Sequence, residues 1–220
     1  MPLHVSCSSS NSIGHKQFSS TIPIIVTNNS PVQPIVCLAS ASPRRSLLLR
    51  QIGVAHRVRA VPIDETALPD EMPRAYVLRI AEQKARAAWA GDASLPVLAA
   101  DTSVVLDETL YGKPGDRADA LRMLERLSGR AHKVLTAVVL ASDAGFDVRL
   151  SVSKVSMRAI SAQECAQYWE TGEPAGKAGA YAIQGIGARF IRALDGSYSG
   201  VMGLPIFETF ELLRARNIIK

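Results

Sequence analysis

An apolar run that stops at a loop and gives way to an amphipathic stretch is compatible with few folds, and Ile35 to Leu49 is such a stretch. Ile35-Val36-Cys37-Leu38-Ala39 reads as a buried strand, Ser40-Ala41-Ser42-Pro43 as a tight loop, and the next residues as a helix carrying Arg44 and Arg45. Ser42 suits the N-cap and Pro43 the first helical position, where its missing N–H costs nothing, so free backbone N–H groups point toward the loop. Two arginines in a first helical turn oppose the helix dipole, which favours Asp or Glu there. Either they are solvated or an anion compensates them. Phosphate fits the second reading, because a helix N-terminus with hydroxyls and guanidinium forks suits it.

The same alternation of strand, loop and helix continues along the chain. His56 to Val61 alternates as a strand and leads into Pro62-Ile63-Asp64-Glu65, and Pro73 opens a long helix that carries Lys84. Leu95 to Ala100 is a near-continuous apolar strand expected to end in Asp101-Thr102. Thr109-Leu110-Tyr111 predicts a short returning strand, Gly112-Lys113-Pro114 a loop, and Ala118 to Leu127 a helix closed by Gly129. His132 to Leu140 and Val148 to Val155 predict long antiparallel strands that turn at Asp143 to Gly145. Ser161 caps a helix that stops at Gly172, and the glycine-rich GEPAGKAGAYAIQGIGARFI after it predicts a shaped loop holding Lys177 and Gln184. A second glycine-rich bend, Gly196 to Pro205, precedes a final helix from Ile206 to Arg216. This order implies an α/β fold. Ligands of open α/β sheets bind beyond the carboxyl ends of strands, which singles out Glu65 and Asp101, with basic residues on neighbouring loops.

Composition excludes several classes. With 47% hydrophobic and 20% charged residues, 220 residues can bury a sizeable core, and no apolar run approaches the roughly 18 residues of a membrane span. The net charge of +5 comes from basic residues scattered among acids, so a small polyanion accounts for it as well as a nucleic acid does. Cys7, Cys37 and Cys165 have no C-x-x-C spacing, which fits a reducing compartment, and the four histidines have no metal-ligand spacing. Walker, G-x-G-x-x-G and G-x-S-x-G motifs are absent from the sequence, and Gly185-Ile186-Gly187 follows no clear strand.

LASASPRR, the IDE at Ile63 to Glu65, AEQKA around Lys84, AADT at Ala99 to Thr102, GKP around Lys113, LSGRAHKVLTAV and KAGAYAIQG occur in this order from Ile35 onward. Together they resemble the Maf family of nucleoside triphosphate pyrophosphatases. Through the Gln of KAGAYAIQG the chain is most similar to the branch acting on dTTP and UTP. The resemblance implies a strongly bent mixed sheet flanked by helices, with the site in a cleft between two lobes, as in Maf and ITPase-like proteins. It also implies hydrolysis between the α and β phosphates, a house-cleaning role against modified pyrimidine nucleotides, a divalent cation such as Mg²⁺ or Mn²⁺, and a cytoplasmic homodimer. By the same resemblance Asp101 is the proton acceptor, Arg44, Thr102 and Gln184 select the base, Ser40, Arg45, Lys84 and Lys113 surround the triphosphate, and Glu65 shares the metal or the water with Asp101. The chain departs from the family pattern at Gly176, where many relatives carry Asp, and at Ala182, where many carry Gly. Two other readings stand beside this one: a 7-methyl-GTP pyrophosphatase of the same family, and a non-catalytic protein of cell division or nucleic-acid binding. No nucleic-acid or membrane partner is expected of the enzyme.

Residues 1–34 contain thirteen Ser, Thr or Asn residues, no acid and a single Lys, Lys16. Such composition cannot bury enough apolar surface to offset its ordering entropy. The stretch also lacks the basic n-region of a secretory signal and the arginines of a transit peptide. It therefore reads as a disordered extension or a misassigned start, ahead of one enzymatic domain over 35–220. Deleting residues 1–34 is expected to leave melting temperature and activity unchanged. A clear fall in the calorimetric midpoint would show that the segment docks on the domain.

Overall fold

The computed structural model of the protein describes residues 33–220, so the expectation for 1–34 falls, apart from its last two residues, outside the described residues. The strands are β1 (Val36–Leu38), β2 (His56–Val58), β3 (Val97–Leu106), β4 (Thr109–Tyr111), β5 (Ala131–Ser142), β6 (Gly145–Met157) and β7 (Ile191–Asp195). They form one seven-stranded mixed sheet in the order β2-β1-β3-β5-β6-β7, with β4 attached to β3. β2, β1 and β3 run parallel, and the remaining pairings are antiparallel. The helices are α1 (Pro43–Gln51), α2 (Pro73–Gly91), α3 (Arg117–Leu127), α4 (Ala162–Glu170), α5 (Tyr198–Met202) and α6 (Ile206–Ala215).

The pleat of β3 explains how the helices divide between the two faces, since successive side chains point to opposite sides. Val97, Ala99 and Val105 face α2, where Val77, Ala81, Ala85 and Ala88 meet them together with Ala137, Val139 and Ala141 of β5. So many alanines at this contact let the helix lie close to the sheet. On the opposite face, Leu98 and Ala100 join Leu48 and Leu49 of α1 and Leu212 and Leu213 of α6. Further along that face, Val104 and Leu106 join Leu124 and Leu127 of α3 and Tyr168 of α4. Between these two clusters the apolar row is broken by Thr102 and by Thr136, its partner across the β3–β5 pairing. The expected lobes are thus two helical layers on one face of a continuous sheet.

Three local expectations change. The strand expected to end at Asp101-Thr102 runs on to Leu106, because Ser103, Val104 and Val105 continue the buried pairing with β5 and Leu106 pairs with β4. Asp101 is therefore interior to a strand. The strand expected over His56 to Val61 stops at Val58, as β1 beside it stops at Leu38. The glycine-rich bends contain regular pieces that the sequence reading passed over: β7 pairs with β6 across a register shift at Ser156/Met157, and α5 begins at Ser197, whose side chain accepts from the Gly200 N–H.

Leu140 of β5 is fully buried in the cluster that α1 and α6 cover, whereas Phe207 on α6 is 73% exposed. Leu140→Ala should cost about 2–5 kcal/mol, as deletions at closed sites do. Phe207→Ala should stay within about 0.5 kcal/mol of wild type. Urea unfolding of the two variants measures this difference, and equal losses would refute this placement of the core.

Candidate active site

On the edge away from β5, β3 is longer than its neighbours. β1 pairs with it only at Val97 and Leu98, and β4 only from Val104 to Leu106. The Ala39 N–H donates to the Leu98 carbonyl at 2.8 Å. Alternation then turns the N–H and C=O groups of Ala100 and Thr102 to the same side, into the gap between β1 and β4. A cleft of about 590 Å³ opens at this gap and takes lining from both faces of β3, with Asp101 on one and Thr102 on the other. Asp101 lies beyond the carboxyl end of β1 rather than of its own strand, so the strand-end rule reaches this cleft through the neighbouring strand.

On the α2 face the charges form a chain. Lys84, buried on α2, places Nζ 2.8 Å from Asp101 Oδ1 and 2.7 Å from Glu65 Oε1. Lys113 Nζ, on an exposed side chain, reaches Glu65 Oε2 at 3.6 Å. Tyr76, also on α2, donates its hydroxyl to the Glu65 carbonyl at 2.9 Å and so holds the loop that brings Glu65 in. Burial pushes the Glu65 carboxyl up, but the hydrogen bonds and charges of Lys84 and Lys113 outweigh it and hold the group below its ordinary value. Burial, followed by the charges of Asp101 and Glu65, raises the Tyr76 hydroxyl to about 12.

The opposite wall is cationic. Arg45 donates from Nε to the Gly203 carbonyl at 2.7 Å, from Nη1 to Ser40 Oγ at 2.9 Å and from Nη2 to Thr102 Oγ1 at 3.3 Å. Three anchors fix its planar fork. Arg44 donates from Nε to the Met202 carbonyl at 3.1 Å, which turns the rest of its guanidinium toward the cleft that it lines. Lys177 also lines the cleft, and its Nζ donates to the Ala175 carbonyl at 3.1 Å. Burial lowers all three cations, opposed for Arg45 by Asp101 and reinforced for Lys177 by Arg44. Cations held in this way favour an anionic occupant. Ser42 has the expected N-cap backbone but makes no side-chain cap; its N–H instead donates to Ser40 Oγ at 3.2 Å.

Ser40, Arg44, Arg45, Glu65, Lys84, Asp101, Thr102, Lys113 and Gln184 thus all line one cleft. Gln184 is exposed at its mouth and makes no side-chain hydrogen bond with the described residues. The residues that the sequence reading missed lie behind these. Thr136 donates to Thr102 Oγ1 at 3.0 Å or to the Gly200 carbonyl at 2.8 Å; a single hydroxyl in the apolar run of β5 was its signal. His132 Nε2 and the Tyr181 hydroxyl share a 2.8 Å hydrogen bond in the interior, and burial lowers His132 to about 4, which keeps the ring neutral. Gly176 has φ of 68°, a left-handed conformation that glycine adopts freely, so this departure from the family pattern suits its backbone.

The family model described as Maf-like protein matches residues 35–216. The chain belongs to the Maf family. It is 52% identical over 194 residues to the dTTP/UTP pyrophosphatase of Bordetella avium (strain 197N), an alignment covering 84% of this chain and 96% of that protein. It is 50% identical over 202 residues to the dTTP/UTP pyrophosphatase of Burkholderia pseudomallei (strain 1710b), covering 86% and 97%. Among solved structures there is a weak likeness to the Staphylococcus aureus Ham1 protein, with a TM-score of 0.37 and 12% identity over 56% of this chain and 71% of that one. Among the described residues of this Maf chain, no group of three or more His, Cys, Asp or Glu could hold a metal ion, and no helix is long and apolar enough to cross a membrane.

Lys84→Met tests the charge chain. Without the ammonium only Lys113 opposes burial, and the Glu65 titration should move up from its depressed value, as read from side-chain carboxyl ¹³C shifts. In the wild type the depressed value stabilises the fold above the ordinary carboxylate range, and this contribution is lost as pH falls through the depressed value. An unmoved Glu65 titration in the variant would refute the coupling.

Proposed function

We propose that this Maf protein is a nucleoside triphosphate pyrophosphatase that hydrolyses dTTP and UTP, and modified pyrimidine nucleotides of the same shape, to the nucleoside monophosphate and pyrophosphate. The observation that carries the proposal is the division of one cleft into two walls. One wall has its carboxylates paired with Lys84 and Lys113, and the other holds Arg44, Arg45 and Lys177 as cations depressed by burial. A triphosphate supplies the negative charge that the second wall lacks, while the first wall supplies a carboxylate for proton transfer. The names of the two relatives supply the choice of dTTP and UTP.

In this proposal a water molecule attacks phosphorus at the α–β anhydride, a P–O bond forms, and the bond to the bridging oxygen breaks with its electron pair leaving on pyrophosphate. Asp101 accepts the proton of the attacking water, and Lys84 keeps the carboxylate oriented through Oδ1. Arg45, fixed by its three anchors, and Ser40 present donors to the phosphates without reorganising during the reaction. Lys113 follows the leaving group from its exposed loop. Arg44, Thr102 and Gln184 read the base, and the unengaged amide of Gln184 offers both a donor and an acceptor to a uracil or thymine edge.

The residues fit a divalent cation. Glu65 and Asp101 converge on one cation already, the Lys84 ammonium; Asp101 keeps a second oxygen that Lys84 does not engage, and Glu65 Oε2 meets only the exposed Lys113 ammonium at 3.6 Å. Mg²⁺ is typically held by one or two carboxylates together with substrate phosphates, and Mn²⁺ shares its preference for oxygen. When bound, such an ion neutralises phosphate charge. We extend the proposal to residues 35–220 as the catalytic domain with 1–34 as an extension, to a reducing compartment such as the cytoplasm, and to a homodimer. Cys37 and Cys165, both buried and free, agree with a reducing compartment. The confinement of Arg44, Arg45 and Lys177 to a cleft favours a small nucleotide over a nucleic acid.

A substrate panel with pyrophosphate detection tests the proposal. dTTP and UTP should be hydrolysed at least about tenfold more efficiently than CTP, a decade being about 1.4 kcal/mol, because cytosine reverses the donor and acceptor order at its base edge. Asp101→Asn should still bind dTTP but lose about 10²-fold or more in turnover. Near wild-type turnover by this variant would remove Asp101 from its role. A preference for 7-methyl-GTP would overturn the choice of substrate but not the reaction.

A further inference from the structure

The base-reading role of Gln184 raises the question of what holds it, since its own side chain is exposed and the segment around it has little regular structure. Between α4 and β7 the chain contains only two short 3₁₀ turns, Ala178–Ala180 and Ile186–Phe190. Yet this segment supplies Lys177, Tyr181 and Gln184 to the cleft. Both sides of Gln184 converge on a single pair of side chains beneath it. The Tyr168 hydroxyl, at the end of α4, accepts from the Ala182 N–H at 3.1 Å and donates to Glu173 Oε1 at 2.6 Å. Glu173 in turn accepts from the Gly187 N–H through Oε1 at 2.8 Å and from the Ile186 N–H through Oε2 at 2.8 Å. The residue two before Gln184 and the residues two and three after it are thus tied to one hydroxyl and one carboxylate.

The glycines around Gln184 fit this arrangement. A Cβ on Gly185 would lie 2.0 Å from Glu173 Oε2, and one on Gly187 would lie 2.5 Å from the Tyr168 hydroxyl and 2.9 Å from the Ala182 carbonyl. The IQGIG sequence, which resembles part of a dinucleotide fingerprint, is explained by this close approach of backbone to Glu173 and Tyr168. Tyr168 is fully buried and meets Phe190 edge to face at 5.2 Å, so its ring is held where the hydroxyl meets Ala182 and Glu173. Burial pushes the Glu173 carboxyl up, but hydrogen bonds from Tyr168, Gly187 and Ile186 outweigh it and keep the carboxylate ionised at neutral pH.

We propose that Glu173 and Tyr168 are positioning residues for base selection: together they clamp the backbone on both sides of Gln184 and thereby set which base edge the cleft accepts, without touching the reacting phosphates. This rests on the reading of the protein as a dTTP/UTP pyrophosphatase. Tyr168→Phe removes one hydroxyl and leaves the ring packed on Phe190. Glu173→Gln keeps the shape but places an amide N–H₂ against backbone N–H groups that need acceptors. Gly185→Ala drives a Cβ into the same carboxylate from the loop side.

The experiment compares steady-state hydrolysis of dTTP, UTP and CTP by wild type and the three variants, together with thermal midpoints and amide hydrogen exchange at Ile186 and Gly187. All three variants should reduce the dTTP-over-CTP preference by at least about fivefold through a raised KM for dTTP, with kcat within about threefold of wild type, a loss of discrimination of the kind expected when a polar reader is misplaced. Exchange at Ile186 and Gly187 should accelerate in the same variants while the strands stay protected. Unchanged selectivity in Tyr168→Phe and Glu173→Gln would overturn the proposal. So would a uniform fall in kcat for every nucleotide that tracks the thermal midpoint, since that is the signature of general destabilisation. If wild type itself hydrolyses neither dTTP nor UTP, the parent reading fails instead, and the exchange data still report whether the clamp exists.

Discussion

The structure depends on one strand being longer than both of its partners on one edge. β3 has 10 residues, yet β1 covers only its start and β4 only its end. The uncovered stretch leaves backbone donors and acceptors without a sheet partner, a condition that buried backbone seldom tolerates. A polar cleft resolves it. Because β3 remains paired with β5 throughout, the opening has a rigid floor, and side chains from both faces of one strand can meet around its free edge. Asp101 and Thr102 are neighbours in sequence, but through this edge they serve different walls.

The two walls have different electrostatic characters for reasons of packing. α2 lies against β3 through alanines, so its Lys84 arrives nearly buried, and a buried ammonium needs anions around it. Asp101 and Glu65 provide them. The other wall is built from the start of α1 and the bend before α6, where backbone carbonyls of Met202 and Gly203 receive the guanidinium groups. Carbonyl dipoles orient Arg44 and Arg45 without neutralising them. The difference between a wall that is balanced and a wall that is merely oriented is what gives the cleft its attraction for a polyanion.

Much of this was legible in the sequence. The loop after Leu38, the proline that opens α2, the antiparallel pair turning near Asp143 and the capping Ser161 are set by local chemistry, and the structure has them where the residues place them. What the sequence reading lost is non-local. The continuation of β3 past Thr102 is enforced by β5; Val104-Val105-Leu106 fit a strand, but the polar Asp101-Thr102-Ser103 before them reads as its end until the partner strand is known. β7 and α5 sit among glycines that read as loop because their partners, Ser156 and Ser153, lie far back in the chain. The site residues emerged as a set through ordered motifs rather than through spacing. Of the supports behind them, Thr136 showed as a lone hydroxyl in an apolar strand, whereas Tyr168, Glu173 and His132 were silent because a hydroxyl, carboxylate or imidazole of this kind has meaning only once its partner is known.

The arginine anchors also bear on the order in which the molecule is assembled. Arg44 to Met202 and Arg45 to Gly203 each join positions 158 residues apart, whereas β5 and β6 zip together across a two-residue turn. Local pairing of this kind forms early, and closure of a long chain segment comes late because its entropy must be met before any contact rewards it. A chain that has formed its hairpin but not this clasp is compact and yet has no cationic wall. Recovery of nucleotide binding during refolding therefore reports closure of this long-range clasp, and it should lag behind formation of the β5–β6 pairing.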